Sequence, residues 1–259
     1  EWGQRLDDLA IQSRAVESPA VIAQNSNTLG LITHTSLALG ILALLGIGFI
    51  RKRPLLGVAA AGSVAAAVLT TEVLKKFVID RPIRFEEVPD LSHNTFPSGH
   101  ATISTSLALA ALMLAPVRLR VPVAVVGALW VSFQCTGVVS AGWHRPSDAL
   151  AGLAVALGWA AFAVFVLASL GRVERATSHG EPERATHWAL LVFVALLAAL
   201  VVSVVVAGDS PWSWGGFDFV LSSAIVDAAA IGVVVVFTAL LRGWSPGRVP
   251  TAEVSSIGP

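Results

Sequence analysis

The chain contains little charge and almost no cysteine. Of its 259 residues, 13% are charged and 55% are apolar, whereas soluble domains usually carry about 25% charged residues. The single cysteine, Cys135, excludes a disulfide framework and a cysteine-based zinc site. Seventeen cationic and seventeen acidic side chains give a formal net charge of zero, so we expect no nucleic-acid partner. The mean hydropathy of +0.75 indicates an integral membrane protein surrounded by membrane lipids.

Long apolar runs recur along the chain. A membrane-spanning helix needs about 20 mostly apolar residues. Runs of roughly this length occupy 29–50, 54–74, 99–116, 121–142, 147–170, 187–207 and 219–241. None of them alternates strictly between apolar and polar residues, as strands of an outer-membrane barrel do. The sequence therefore predicts an all-α, polytopic membrane helix bundle with about seven transmembrane helices.

The cations indicate the orientation of the predicted bundle. If every run crosses once, ten of the seventeen cations follow spans one, three, five and seven and share one side. They are Arg51, Lys52, Arg53, Arg118, Arg120, Arg172, Arg175, Arg184, Arg242 and Arg248. Because cytoplasmic loops are enriched in Lys and Arg, we expect this side to be cytoplasmic. The composition, rich in Ala, Val, Gly and Arg, is typical of a high-GC bacterial genome, so we expect a multi-pass protein of a bacterial plasma membrane.

Polar segments divide the chain into five predicted parts. Residues 1–28 form an extracytoplasmic segment with a short amphipathic helix at the interface. Residues 29–170 form the membrane core, and 171–186 form a polar cytoplasmic linker. Residues 187–245 form an additional transmembrane hairpin, and 246–259 form a cytoplasmic tail.

Three polar clusters interrupt the apolar chain at the predicted outer ends of spans, at 71–84, 96–100 and 142–148. Ser98 and Gly99 stand at a predicted helix start, where free N–H groups and the positive end of the helix dipole attract anions. Lysine and arginine side chains of the first cluster add positive charge, and arginine adds the paired donors that suit phosphate oxygens. The clusters therefore predict one phosphate-binding site.

Two histidines in these clusters, His100 and His144, suit phosphoryl-transfer chemistry. One attacks phosphorus as a neutral imidazole, and the other protonates the leaving oxygen. Their positions alone do not say which takes which part. Asp148 follows His144 by four residues, so a helix that begins at Pro146 would return its carboxylate to the ring and fix the tautomer.

The order and spacing of the clusters resemble the motifs of the type-2 phosphatidic acid phosphatase (PAP2) superfamily of membrane phosphatases. Those motifs read roughly Lys-x6-Arg-Pro, Pro-Ser-Gly-His and Ser-Arg-x5-His-x3-Asp. The second is complete at 97–100, and the His-x3-Asp part of the third is complete at 144–148. The resemblance covers about 70–170 and implies a PAP2-like catalytic core within 29–170.

The resemblance implies a role for each candidate residue. His144 would be the nucleophile that forms a phosphohistidine, His100 the general acid, and Asp148 the group that orients His144. Lys75, Arg81 and the Ser98–Gly99 backbone would hold the phosphate. The family needs no metal, and we expect no other cofactor. Its core usually has six spans, so we expect the first span to precede Glu1.

The first motif departs from the family pattern by one residue. Lys75 and Arg81 are separated by five residues rather than six. Lys76 or Arg84 could therefore take either cationic role, and Arg84 joins the predicted phosphate-binding residues.

The third motif lacks its cation. The Ser-Arg pair would fall at Gly137 and Val138, which offer neither a hydroxyl nor a positive charge. Stabilisation of transition-state charge dominates phosphoryl transfer, so an uncompensated loss should slow catalysis by orders of magnitude. We expect Arg84 or Arg145 to compensate from another direction.

These features predict a membrane phosphatase that hydrolyses a lipid-linked phosphate monoester or diphosphate on the extracytoplasmic side. The candidate substrates that the resemblance implies are polyprenyl diphosphate, polyprenyl-linked sugar phosphate, phosphatidic acid and phosphatidylglycerol phosphate.

Two alternative functions stay open. The missing arginine leaves open a non-catalytic lipid-phosphate-binding protein, and the ionisable Asp227 within the last span leaves open a transporter or flippase. Phosphotransfer to an acceptor other than water fits the same intermediate. The sequence does not fix the oligomeric state.

Overall fold

A computed structural model of the chain describes residues 7, 10–13, 19–79, 93–175, 217–242 and 244–246. Its main helices are α1 Pro19–Leu29, α2 His34–Ile50, α3 Pro54–Val73, α4 Gly99–Leu114, α5 Arg120–Ser140, α6 Pro146–Ser169 and α7 Phe217–Leu240. A π-helical turn, Leu74–Val78, extends α3, and a 3-10 turn, Val117–Leu119, precedes α5. Two short strands, β1 Val173–Arg175 and β2 Trp244–Pro246, pair antiparallel.

Local sequence explains where several helices begin. Thr33 caps α2 through a capping box with Ser36, in which each side chain accepts the other's backbone N–H. The Ser98 hydroxyl caps α4. Pro54 and Pro146 stand in the first turns of α3 and α6, where a missing N–H costs nothing.

The all-α membrane fold is confirmed. Four helical segments are long and apolar enough to cross a membrane: 54–78, 117–140, 146–169 and 219–240. A fifth crossing is possible if α1 and α2, which meet at 54°, act as one bent span. The predicted count of seven is not confirmed, because α4 has only 16 residues and the predicted span 187–207 lies outside the described residues.

The helices pack around α4, which contacts α3, α5 and α6. Small residues permit a close approach of α2 and α3: a Cβ placed on Gly48 would lie 2.5 Å from the Cα of Gly57. Helix α7 lies against α5 and α6, where the Ser132 hydroxyl donates a hydrogen bond to the carboxylate of Asp227. Asp227 is therefore a helix-to-helix contact in this fold.

The antiparallel helix order gives the bundle two different ends. At one end α3 and α5 finish and α4 and α6 begin, and the described parts of all three polar clusters lie there. We call it the motif end. The loops after α2, α4 and α6 lie at the opposite end, and β1 and β2 pair just beyond α6 and α7. The predicted division into five parts stays a prediction.

Candidate active site

The end of α5 fixes the backbone of the third cluster. Gly142, at φ 75°, reverses the chain in a conformation that glycine adopts at low cost. Its N–H donates to the Val139 carbonyl at 3.0 Å, and the N–H of Trp143 donates to the Val138 carbonyl at 3.0 Å, which is a Schellman motif. The His144 N–H shares the Val138 carbonyl at 3.1 Å. The position of His144 therefore follows directly from the end of α5.

Helix α6 then brings Asp148 back to His144. The Asp148 side chain is fully buried, and its Oδ2 atom accepts hydrogen bonds from the Thr95 hydroxyl at 2.6 Å and the Arg145 N–H at 3.0 Å. The same Oδ2 lies 3.5 Å from Nδ1 of His144. This separation exceeds an ordinary hydrogen bond, and catalytic contacts in free enzymes are often long until substrate binds. The structure thus brings together the pair that the spacing predicted, and the role of the pair stays a prediction.

The start of α4 joins the second cluster to the third. The Ser98 N–H donates to the backbone carbonyl of Asp148 at 2.9 Å, and the Ser98 hydroxyl accepts from the Ala101 N–H at 3.3 Å. The Ser98 amide is therefore occupied. Among the described residues, the amides of Gly99 and His100 have no acceptor, so these two donors at the helix start are available to an anion.

The π-helical turn after α3 places Lys75 beside that helix start. A Cβ on Gly99 would lie 3.9 Å from the Lys75 ammonium nitrogen. Both lysines pair with Glu72, Lys76 at 2.9 Å and Lys75 at 3.8 Å. The Lys76 side chain is 62% exposed and that of Lys75 is 20% exposed, so Lys75 is the more enclosed lysine and the one beside Gly99. The Asn94 side chain donates to the carbonyls of Lys75 at 2.9 Å and Ile79 at 2.6 Å, which ties the first cluster to the loop before the second.

The two histidines face one cavity of about 720 Å³. Their ring centres are 6.5 Å apart, and the ring of Trp143 lies 5.3 Å from that of His100. His144 is 7% exposed and lines this cavity. The remaining wall is largely apolar and comes from α2, α3 and α4. It includes Leu37, Ile41, Val68, Leu69 and Ile103.

Of the two cations predicted to compensate for the missing arginine, Arg84 lies outside the described residues, as does the predicted phosphate ligand Arg81. Arg145 is buried at the start of α6 and is not among the described residues that line the cavity. At the missing pair's own positions, Leu29 packs against Gly137, and the Val138 carbonyl is occupied by the backbone of the third cluster.

Sequence reasoning missed three residues of this end. Thr95 binds the Asp148 carboxylate, Asn94 binds the lysine turn, and His93 lines the cavity. Their place shortly before Pro97 was the available indication, because side chains next to a site motif often support it.

In the part of the chain that the structure describes, no three His, Cys, Asp or Glu side chains are grouped to hold a metal ion. Metal independence stays a prediction.

Comparison with known proteins gives a consistent result. A family model described as the PAP2 superfamily matches residues 55–172. A decaprenylphosphoryl-5-phosphoribose phosphatase from Mycobacterium tuberculosis (strain H37Rv) is 35% identical over 153 residues, which cover 57% of this chain and 81% of the relative. The protein of the same name from strain CDC 1551 / Oshkosh matches to the same extent. No solved structure matches the chain. The region of the family match contains α3 to α6 and all three polar clusters.

Proposed function

The chain belongs to the PAP2 superfamily of phosphatases, and from this premise we propose that it hydrolyses a lipid-linked phosphate monoester or diphosphate through a phosphohistidine on the extracytoplasmic face. One observation carries the proposal. His100 and His144 face the same cavity with ring centres 6.5 Å apart, and Lys75 lies beside the available amides at the start of α4.

In the first step, His144 is the nucleophile. Its Nδ1 faces Asp148, so the proton sits on Nδ1 and the lone pair of Nε2 is directed to phosphorus. The bond from Nε2 to phosphorus forms while the bond from phosphorus to the leaving oxygen breaks. His100 in its protonated form gives its proton to that oxygen. The buried Asp148 carboxylate stabilises the positive charge that the His144 ring acquires.

In the second step, water resolves the intermediate. His100, now neutral, accepts a proton from a water molecule that attacks phosphorus. The bond from Nε2 to phosphorus breaks, inorganic phosphate leaves, and both histidines return to their starting states. An alcohol in place of water would complete a phosphotransfer by the same route.

Three features stabilise the negative charge of the transferring phosphoryl group. Lys75 supplies a cation, the Gly99 and His100 amides supply neutral donors, and α4 directs the positive end of its dipole to the same place. Arg81 and Arg84 remain predicted contributors. Preorganised donors of this kind stabilise the transition state without the reorganisation that water requires.

The cavity supports a lipid substrate. Its apolar wall continues from the phosphate end across α2, α3 and α4 and suits the hydrocarbon chain of a membrane lipid. The matching relatives are named for decaprenylphosphoryl-5-phosphoribose, so a polyprenyl-linked sugar phosphate heads the candidate substrates. His34 and Glu72 on the cavity wall offer hydrogen-bonding groups for the hydroxyls of such a headgroup.

Charge distribution supports an outward-facing site. The described residues at the opposite end include eight cations. They are Arg51, Lys52, Arg53, Arg118, Arg120, Arg172, Arg175 and Arg242. Because positive loops stay in the cytoplasm, the motif end faces outward. The proposed location is the plasma membrane, with the substrate entering from the outer leaflet.

Phosphate release by the detergent-purified protein in EDTA tests this function. The panel contains a polyprenyl diphosphate, a polyprenyl-linked sugar phosphate, phosphatidic acid and phosphatidylglycerol phosphate. We expect release from at least one lipid and its loss in His144→Ala and in His100→Ala. His179→Ala is the matched control, because this histidine belongs to the predicted linker and to none of the clusters. Undiminished release by either cluster variant would contradict the mechanism.

The same panel separates the alternatives. A lipid-phosphate-binding protein would bind the lipids and release phosphate from none, and the uncharged pair Gly137–Val138 would be the reason. A transporter would still move lipid phosphate across a vesicle membrane when it carries the His144→Ala substitution. Asp227 gives little support to transport, since its carboxylate accepts a hydrogen bond from Ser132 between α5 and α7.

A further inference from the structure

A carboxylate from the start of the chain reaches the motif end. Asp7 is 3% exposed and accepts two hydrogen bonds from Ser147, which is 140 positions away in sequence. The Ser147 N–H donates to Oδ1 at 3.0 Å, and the Ser147 hydroxyl donates to Oδ2 at 2.6 Å. Ser147 stands between Pro146 and Asp148, in the first turn of α6.

One backbone N–H in the first turn of α6 is accepted by Asp7 and not by a residue of the helix itself. Its N-cap is Arg145, which makes no side-chain cap, and Pro146 has no N–H. The N–H groups of Asp148 and Ala149 donate to the Arg145 carbonyl. The Ser147 N–H is the remaining donor of the first turn, and Asp7 accepts it while placing a negative charge at the positive helix end.

Further residues near the start of the chain attach to α5, on the other side of His144. The Asn25 side chain donates to the Ser140 hydroxyl at 2.9 Å. Leu29 is fully buried, and a Cβ on Gly137 would lie 3.5 Å from its Cδ2 atom. The described residues before α2 therefore contact both helices that carry the third cluster.

We propose that Asp7 is a positioning residue for His144. It acts through Ser147, which holds the first turn of α6 and with it the Asp148 carboxylate at a fixed distance from the imidazole. Residues before α2 thus contact both sides of the third cluster: Asp7 bonds Ser147 within it, and Leu29 packs on Gly137 of the preceding helix α5. This inference rests on the proposed function, since His144 must be the reacting group.

Asp7→Asn tests the inference by a split between kcat and KM. We expect kcat to fall about tenfold, because a small displacement of reacting groups has effects of this order. KM should stay within about twofold, because Lys75 and the Gly99 amide are untouched. The matched control is Asp8→Asn, which removes the same charge from the adjacent position and should leave both constants unchanged.

A double-mutant cycle assigns the effect to the contact itself. Ser147→Ala removes the hydroxyl bond to Asp7 and keeps the N–H bond, so the variant with both substitutions should lose less than the product of the two single effects. Multiplication of the two single effects would overturn the inference, because each residue would then act separately.

Vanadate binding tests the inference without turnover. Vanadate mimics the five-coordinate transition state and needs a correctly placed His144, whereas inorganic phosphate needs only the cradle. We expect Asp7→Asn to bind vanadate about tenfold more weakly and phosphate as the wild type does. Equal vanadate affinity in Asp7→Asn and wild type would overturn the inference, with or without a lipid substrate. Absence of phosphate release by the wild type on every lipid would instead overturn the proposed function.

Discussion

The two ends of the helix bundle use polar side chains in opposite ways. At the opposite end, arginines close helix termini: Arg51 donates to the Leu114 carbonyl, and Arg120 donates to the Leu241 carbonyl at 2.5 Å. Each bond satisfies a carbonyl that a helix end leaves without an internal partner.

At the motif end, polar groups also bond one another, but one contact is longer than a hydrogen bond and two backbone donors are left open. The His144 to Asp148 contact is 3.5 Å, and the amides of Gly99 and His100 lack acceptors among the described residues.

The difference shows where function resides in an apolar bundle. Polar groups that are buried without partners are costly, so open donors beside a cavity are candidates for contact with a ligand. Gly99 and His100, which carry the available amides, line the same cavity as His144. Substitutions at the motif end should therefore lower kcat more than the free energy of unfolding. Substitutions at the opposite end should lower the free energy of unfolding more than kcat.

The largest expected effect follows from Asp148→Asn. The neutral amide would remove the buried negative charge that holds the proton on Nδ1 and stabilises the positive charge of the phosphorylated His144 ring. We expect kcat to fall roughly 10³–10⁴-fold, as for the equivalent change in a serine protease triad. Steady-state phosphate release measures it.

The control for this change is Asp227, a half-buried acid of α7 whose carboxylate accepts a hydrogen bond from Ser132 of α5. Asp227→Asn should keep phosphate release within about twofold, because it leaves the cavity unchanged. Comparable losses in the two variants would show that carboxylates in the two places matter equally, and the contrast between the motif end and the rest of the bundle would fail.

The second prediction concerns Gly152, where α6 approaches the start of α4. A Cβ on Gly152 would lie 2.8 Å from the Ser98 carbonyl, so Gly152→Ala must move the helix start away from α6. We expect kcat to fall about 10–100-fold, because the cradle would shift relative to His144. Gly158→Ala on the same helix meets nothing within 4 Å and should leave the rate unchanged. Equal rates in the two variants would refute the requirement for close packing.

A smaller effect is expected for Thr95→Val, which removes the 2.6 Å hydrogen bond to Asp148. Loss of one partner from a buried carboxylate costs about 1–3 kcal/mol, and we expect kcat to fall about tenfold as the carboxylate shifts. Thr136→Val is matched in chemistry, since the Thr136 hydroxyl bonds only the Ser132 and Phe133 carbonyls of its own helix. A rate for Thr95→Val equal to that of Thr136→Val would mean that Thr95 does not hold Asp148.

Much of this contrast was predictable from sequence, because it depends on local spacing. His144 and Asp148 are four residues apart across a helix start, so their proximity follows from helical geometry. Ser98 before an apolar run is a typical helix cap, and the helix start that it predicts is found. The apolar runs likewise predicted the membrane helices, apart from the number of crossings.

The remaining contacts join residues that are distant in sequence, which local patterns do not reveal. Asp7 bonds Ser147 over 140 positions, and Thr95 bonds Asp148 over 53. The need for Gly152 appears only when α4 lies against α6. The interpretation of Asp227 also required the fold, because Ser132 becomes its neighbour only when α7 packs on α5.

The smallest effect on rate is expected at the opposite end, from Arg120→Ala. The Arg120 side chain is buried and donates to the Leu241 carbonyl, so its removal leaves that carbonyl at the end of α7 without this partner. The free energy of unfolding in detergent should fall by about 1–3 kcal/mol, while kcat of the folded protein stays unchanged. Arg118→Ala is the control, because Arg118 is exposed in the same loop and should change stability by no more than about 0.5 kcal/mol. If Arg120→Ala lowered kcat without lowering stability, the two ends would be coupled, and the separation of structural and functional polar groups would be wrong.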